Sequence, residues 1–156
     1  MAIREILRED DETLRKKCRL VERFDERLWT LLDDMAETMA SANGVGLAAP
    51  QVGVIRRAVV IDVGEGLVEL INPELVETSG NCEDVEGCLS SPGEYGLVPR
   101  PTYAKARAQD RNGNWFEVEG RDLMARAICH ELDHLDGILF KDKVTEMLDP
   151  SELEFE

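Results

Sequence analysis

The chain has 156 residues, 43% hydrophobic and 33% charged, enough to bury one core without staples and too apolar to stay disordered. Its net charge of −15 sets up a field that repels nucleic acid and anionic membranes. No apolar run approaches the roughly eighteen residues of a membrane span, and Met1-Ala2-Ile3-Arg4-Glu5 lacks a signal-peptide core, so a cytoplasmic protein is expected.

Asp10-Asp11-Glu12-Thr13-Leu14-Arg15-Lys16-Lys17-Cys18 opens with acids and closes with bases, which suits the helix dipole and predicts a short first helix. Asp25 reads as the N-cap of a second, in which Leu28, Leu31, Leu32, Met35 and Met39 recur at helical spacing until Asn43-Gly44. That stripe is core. Residues 44–53, Gly-Val-Gly-Leu-Ala-Ala-Pro-Gln-Val-Gly, form either a plain turn or a loop whose glycines let a ligand or strand approach the backbone. No Gly-Lys-Ser/Thr follows, so this is not a phosphate loop.

Residues 57–62 and 67–73 read as strands joined at Gly64-Glu65-Gly66, with a further short run at Leu75-Val76-Glu77. Glu86-Gly87-Cys88-Leu89-Ser90-Ser91-Pro92-Gly93 breaks the pattern. Residues 103–108 alternate small apolar with polar, and Asn112-Gly113 supplies a hairpin turn before Trp115-Phe116-Glu117-Val118. Of four cysteines, Cys18, Cys82 and Cys129 are expected as buried thiols, with no disulfides.

A last helix begins after Gly120, with Asp122 as its cap, and ends at Gly137. Met124, Ile128, Leu132 and Leu135 make its buried stripe, and Leu123, Ala127, His130 and His134 an adjoining stripe facing a site. His130 and His134, the only histidines, lie one turn apart on the same face and can share a metal. Glu131 sits to the flank, within reach of a metal-bound water, as a general base should. Two histidines do not fill a tetrahedral shell, so a thiolate or carboxylate must come from elsewhere, and Cys88 in its Gly/Ser/Pro turn is the leading candidate.

The expected fold is therefore α+β, with antiparallel β-sheets packed around a C-terminal metal-binding helix carrying His-Glu-x-x-His, preceded by N-terminal helices. One catalytic domain over residues 1–148 and a short acidic tail over 149–156 are expected.

Three stretches together, Gly44-Val45-Gly46-Leu47-Ala48-Ala49-Pro50-Gln51, Glu86-Gly87-Cys88-Leu89-Ser90 and His130-Glu131-Leu132-Asp133-His134, resemble the three signature motifs of bacterial peptide deformylases. The resemblance runs to about Val144. It implies that Cys88, His130 and His134 hold one divalent metal, Fe(II) physiologically with Zn, Ni or Co possible in purified protein, and that water fills the fourth position. It implies hydrolysis of the N-terminal formyl group of formyl-methionyl nascent peptides, releasing formate. Glu131 would take the proton of water and hand it to the leaving amine, while the Gln51 amide and the Leu89 N–H meet the developing oxyanion.

By the same resemblance, the peptide pairs in extended form with Val45-Gly46 on one side and Glu86-Gly87 on the other, which tolerates any sequence. Its methionine would enter a pocket of Val45, Leu123 and Ala127 with the His130 ring at the floor, and Arg100 matches a family arginine near the peptide path. Two departures stand out. Cys129 replaces a common Gln and, pointing away from His130, is expected to be a packed thiol. Better-known members carry a basic C-terminal helix that touches the ribosome, whereas this chain ends early and acidic, so docking through the tail is not expected.

Three other readings compete on residue types alone. A His-Glu-x-x-His zinc endopeptidase would usually take its third ligand from a downstream Glu or His, and no third His exists. A catalytically silent relative would keep the metal for structure and merely grip peptides, yet would need neither Glu131 nor Gln51. A free Cys88 nucleophile with a His base leaves the helical His pair unexplained.

Overall fold

The computed structural model describes residues 2–149. In chain order they form α1 (Glu26–Ser41), β1 (Gly46–Ala48), β2 (Ala58–Ile61), β3 (Val68–Ser79), β4 (Cys82–Gly87), β5 (Tyr95–Arg100), β6 (Tyr103–Gln109), β7 (Trp115–Arg121), α2 (Leu123–Leu135) and β8 (Glu146–Leu148). One antiparallel sheet has the order β1-β2-β3-β6-β7, and a second the order β4-β5-β8. The α+β expectation agrees with this arrangement.

Strand periodicity explains the layering. Along β2, Val59 and Ile61 join the cluster containing Ile128 and Leu135 of α2, whereas Ala58 and Val60 join the cluster containing Leu31, Leu32 and Met35 of α1. Successive side chains point to opposite faces, so the five-stranded sheet is sandwiched between the helices. Ala104, Ala106 and Ala108 of β6 all face α2, and such small residues let the helix lie close.

Asp25 caps α1 as expected, its carboxylate accepting from the N–H groups of Arg27 and Leu28. The end of α2 follows the Schellman pattern: Gly137 N–H donates to His134 O, and Ile138 N–H to Asp133 O. Gly137 has φ +76, and a Cβ there would collide with the Arg15 backbone, so only glycine closes this turn. The last turn, which carries His134, is thereby anchored.

Several expectations need correction. The first predicted helix is only a 3-10 turn, Glu12–Arg15. Cys18 N–H instead donates to Leu135 O and Arg19 O accepts from Arg57 N–H, and these tertiary bonds pull the chain out of helix. Nor is α2 the last element, since a 3-10 turn at Phe140–Asp142 and β8 follow it. Asp122 occupies the cap position with φ 53, but its carboxylate makes no capping bond. Cys82 is exposed because it lies on β4, the polar edge strand of the smaller sheet, while Cys18 and Cys129 are buried.

The predicted runs at 67–73 and 75–77 are one strand, β3, interrupted by a register shift between Ile71 and Glu74. Asn72 there has φ 51 and its side chain exchanges two hydrogen bonds with the Val21 backbone. Pro73, which has no N–H, falls at this irregularity. Strands β1, β4, β5 and β8 were not expected. β4 is exposed on most of its length, and β5 contains Gly96 and Pro99, so neither carries a readable alternation. The proposed tail lies outside the described residues except for Asp149. No helix among the described residues is long and apolar enough to cross a membrane.

Candidate metal centre

Helical spacing and one loop build the centre. His130 and His134 stand one turn apart on α2, with their Nε2 atoms 3.2 Å apart, and the Cys88 Sγ lies 3.3 Å from His134 Nε2. Each of the three residues offers one ligand atom, and all three atoms lie within 4.8 Å of one another. An ion bonded tetrahedrally at about 2.0–2.1 Å to nitrogen and 2.3 Å to sulfur requires N···N and N···S spacings of about 3.3 and 3.6 Å. The residues fit such an ion.

Burial and hydrogen bonds prepare the donors. The Glu86 carboxylate lies 2.7 Å from His130 Nδ1, which fixes a proton on that nitrogen and turns the Nε2 lone pair toward the ion. Burial opposes charge on Glu86, yet its bonds to His130 and Arg100 hold it down at about 2. Burial, with His130 beside it, keeps the His134 imidazole neutral, well below its ordinary value. His134 Nδ1 has no hydrogen-bond partner among the described residues.

Glu131 is 3% exposed, with Oε2 3.9 Å from His130 Nε2 and Oε1 lacking any partner among the described residues. Burial pushes its carboxyl up to about 7. The glycine-rich stretch explains how it fits. A Cβ on Gly46 would overlap the Glu131 carboxylate, and one on Gly44 would strike the Leu89 side chain. The stretch is more than a plain turn, since Gly46–Ala48 form β1, and its glycines admit the Glu131 carboxylate and the Leu89 side chain close to the backbone.

Gln51 is buried within the same stretch. Its Oε1 accepts from Ala48 N–H, which directs Nε2 toward Ser90 Oγ at 3.1 Å and Cys88 Sγ at 3.5 Å. The amide N–H groups therefore point at the centre. A cleft of about 440 Å³ opens beside it, lined among others by Val45, Gly46, Gln51, Glu86, Gly87, Cys88, Leu89, Leu123, Ala127, His130 and Glu131. Its two walls are β1 and β4, each an edge strand of its own sheet.

Arg100 departs from expectation. It is 3% exposed and does not line the cleft; instead it lies behind Glu86, donating to both of its oxygens and to Asp133. Its guanidinium needs these carboxylates once it is buried, so it belongs to the support of the centre and not to the peptide path. Sequence reasoning missed Arg126, which ties α2 to the smaller sheet through Glu86, Val98 O and Cys82 O. Its position one residue before Ala127, on the flank of the site stripe, was the available signal. Ser90, which anchors Gln51, lies within the second motif, whose pattern assigns it no role. Cys129 packs in the core, and burial raises its thiol pKa.

The model of the polypeptide deformylase family matches residues 3–149. A peptide deformylase of Caldicellulosiruptor bescii is 58% identical over 154 residues, covering 99% of this chain and 93% of the relative. Peptide deformylase 1 of Clostridium acetobutylicum is 63% identical over 146 residues, covering 94% and 97%. Among solved structures, a Thermotoga maritima peptide deformylase aligns with a TM-score of 0.91 at 40% identity, covering 93% of this chain and 99% of that one. A Legionella pneumophila peptide deformylase aligns with a TM-score of 0.90 at 48% identity, covering 92% and 87%.

Proposed function

The chain belongs to the peptide deformylase family, metal-dependent enzymes that remove the N-terminal formyl group from nascent peptides, and we propose a role for each residue of its centre on that premise. Cys88, His130 and His134 hold one divalent ion, Fe(II) in the physiological enzyme, with Zn, Ni or Co able to occupy the same N/S donors. When bound, the ion lowers the pKa of water and offers positive charge to the formyl oxygen.

The protein's own groups do the rest. Glu131, whose buried Oε1 has no hydrogen-bond partner among the described residues, takes a proton as water adds to the formyl carbon. Negative charge grows on the formyl oxygen and is met by the Gln51 amide and the Leu89 N–H. The C–N bond then breaks, the proton passes from Glu131 to the departing amine, and formate and a free N-terminus result. The peptide lies extended between the edges at Val45-Gly46 and Glu86-Gly87, where main-chain pairing leaves its sequence unrestricted. Its methionine side chain packs against Val45, Leu123 and Ala127. Nascent chains as substrate fit an enzyme of the cytoplasm, acting as one domain over residues 1–148.

The observation that carries this reading is the convergence of three ligand atoms, a buried acid and a directed amide on one cleft. It is tested by formate release from formyl-Met-Ala-Ser by anaerobically prepared protein, with metal measured on the same sample. About one metal per chain and rapid release are expected. Glu131→Ala should lower turnover by at least about a thousandfold with metal retained, and unchanged turnover would remove Glu131 as the base.

A further inference from the structure

Cys88, Leu89 and Ser90 sit on a loop between β4 and β5, outside any helix or strand. Something must hold that loop against Gln51. Part of the answer is the extended N-terminal segment: Leu7 N–H donates to Gln51 O at 2.8 Å, and Glu9 N–H donates to Ser90 O at 3.0 Å. Two residues apart on one segment, these N–H groups bond both sides of the proposed oxyanion site.

The Glu9 side chain adds a second attachment. Its Oε2 accepts from Ser91 Oγ at 2.8 Å, and its Oε1 accepts from Lys141 Nζ at 2.6 Å. Lys141 also reaches Glu94 at the far end of the loop, at 2.8 Å. Lys141 belongs to the 3-10 turn that follows α2, and the next residue, Asp142, pairs with Arg15. The loop is thus tied through Glu9 to the turn that follows the helix carrying both histidines.

We propose that Glu9 is a positioning residue for this reaction: together with Ser91 and Lys141 it holds the Cys88–Leu89–Ser90 turn at the distance from Gln51 that the two oxyanion donors require. Glu9 touches neither ligand atoms nor substrate. Loss of its carboxylate leaves the backbone bonds and the metal donors in place but frees the turn to move, and displacement of a donor by a fraction of an ångström weakens it most at the transition state.

The inference rests on the deformylase reading, and its test separates the two. The metal-loaded full-length protein is assayed with formyl-Met-Ala-Ser, and amide hydrogen exchange over residues 88–91 is followed on the same samples. Glu9→Ala and Ser91→Ala should each lower kcat about tenfold, with KM and metal content within about twofold, and exchange over 88–91 should quicken. The double variant should be no slower than Glu9→Ala, because Ser91→Ala removes a bond that Glu9→Ala has already removed. Glu9→Gln, whose amide oxygen still accepts from Ser91, should retain most of the activity. Wild-type kcat in Ser91→Ala, losses that multiply in the double variant, or a change confined to KM would overturn the proposal. Should Glu9→Ala fold poorly, Ser91→Ala and Glu9→Gln decide it alone. A wild type that releases no formate would refute the deformylase reading, while unaltered exchange in the variants would still refute the positioning role of Glu9.

Discussion

Helix α2 meets the two sheets in opposite ways. Toward the five-stranded sheet it presents Ile128, Leu132 and Leu135 to Val59, Ile61, Leu70 and the alanines of β6, a largely apolar contact to which the buried Glu131 against Gly46 of β1 is the exception. Toward the three-stranded sheet it presents Arg126, His130 and Asp133, which engage Glu86 and Arg100 in a buried ionic network. Apolar packing is non-directional and tolerates small shifts, so it stabilises the helix without aiming any atom. Hydrogen-bonded charges are directional and costly to leave unpaired, and they sit where an imidazole must point at an ion. One face supplies stability, the other supplies geometry.

That division can be broken most forcefully at Arg100. Arg100→Ala leaves the buried Glu86 and the half-buried Asp133 without their shared partner and should cost about 3–5 kcal/mol in denaturant unfolding of the metal-free protein. Because Glu86 then loses its hold on His130, metal affinity should also fall, by about 10–100-fold in competition with a chelator. Stability unchanged to within about 1 kcal/mol would contradict the role given to the network.

Gly137→Ala tests the end of the helix. A left-handed φ and a collision with the Arg15 backbone should together cost about 2 kcal/mol, read as a lower melting temperature. Ile128→Val, on the apolar face, should cost only about 1 kcal/mol and leave kcat unaltered in folded protein. A fall in metal affinity comparable to that of Arg100→Ala would erase the distinction between the faces.

The smallest effect concerns acid. Glu9, facing Lys141, Glu94, Ser91 and Arg15, is held below the ordinary carboxylate value of 4.5, chiefly by its hydrogen bond to Lys141. Its contribution is therefore fully present above about pH 4.5 and is lost as pH falls through the lowered value. Unfolding of wild type and Glu9→Gln should converge as the solution is acidified, and a constant gap down to pH 3 would contradict this.

Particular residues show what was legible. The stripe of α1, its Asp25 cap, the His130–His134 pair and the Gly137 stop all rest on contacts within a few positions, which 3.6-residue periodicity and capping chemistry encode locally. The hairpin at Asn112-Gly113 likewise joined β6 to β7 in the expected pairing. By contrast, β4 and β5 carry no readable alternation, because one is an exposed edge and the other holds Gly96 and Pro99. The short first helix lost to a hydrogen bond between Cys18 and Leu135, far along the chain.

The sequence by itself determined the helices' apolar faces, the pair of imidazoles one turn apart and, through three motifs, the family to which the chain belongs. The sequence also singled out Cys88 as a candidate third donor; the tertiary structure brings it, 46 positions from His134, beside the two imidazoles, and it alone decided that Glu86 meets His130 and that Arg100 turns inward behind it. The reason is range: periodicity records which face of one element is buried, while the meeting of charged groups from separate elements depends on how the sheets and helix pack, which no local pattern contains.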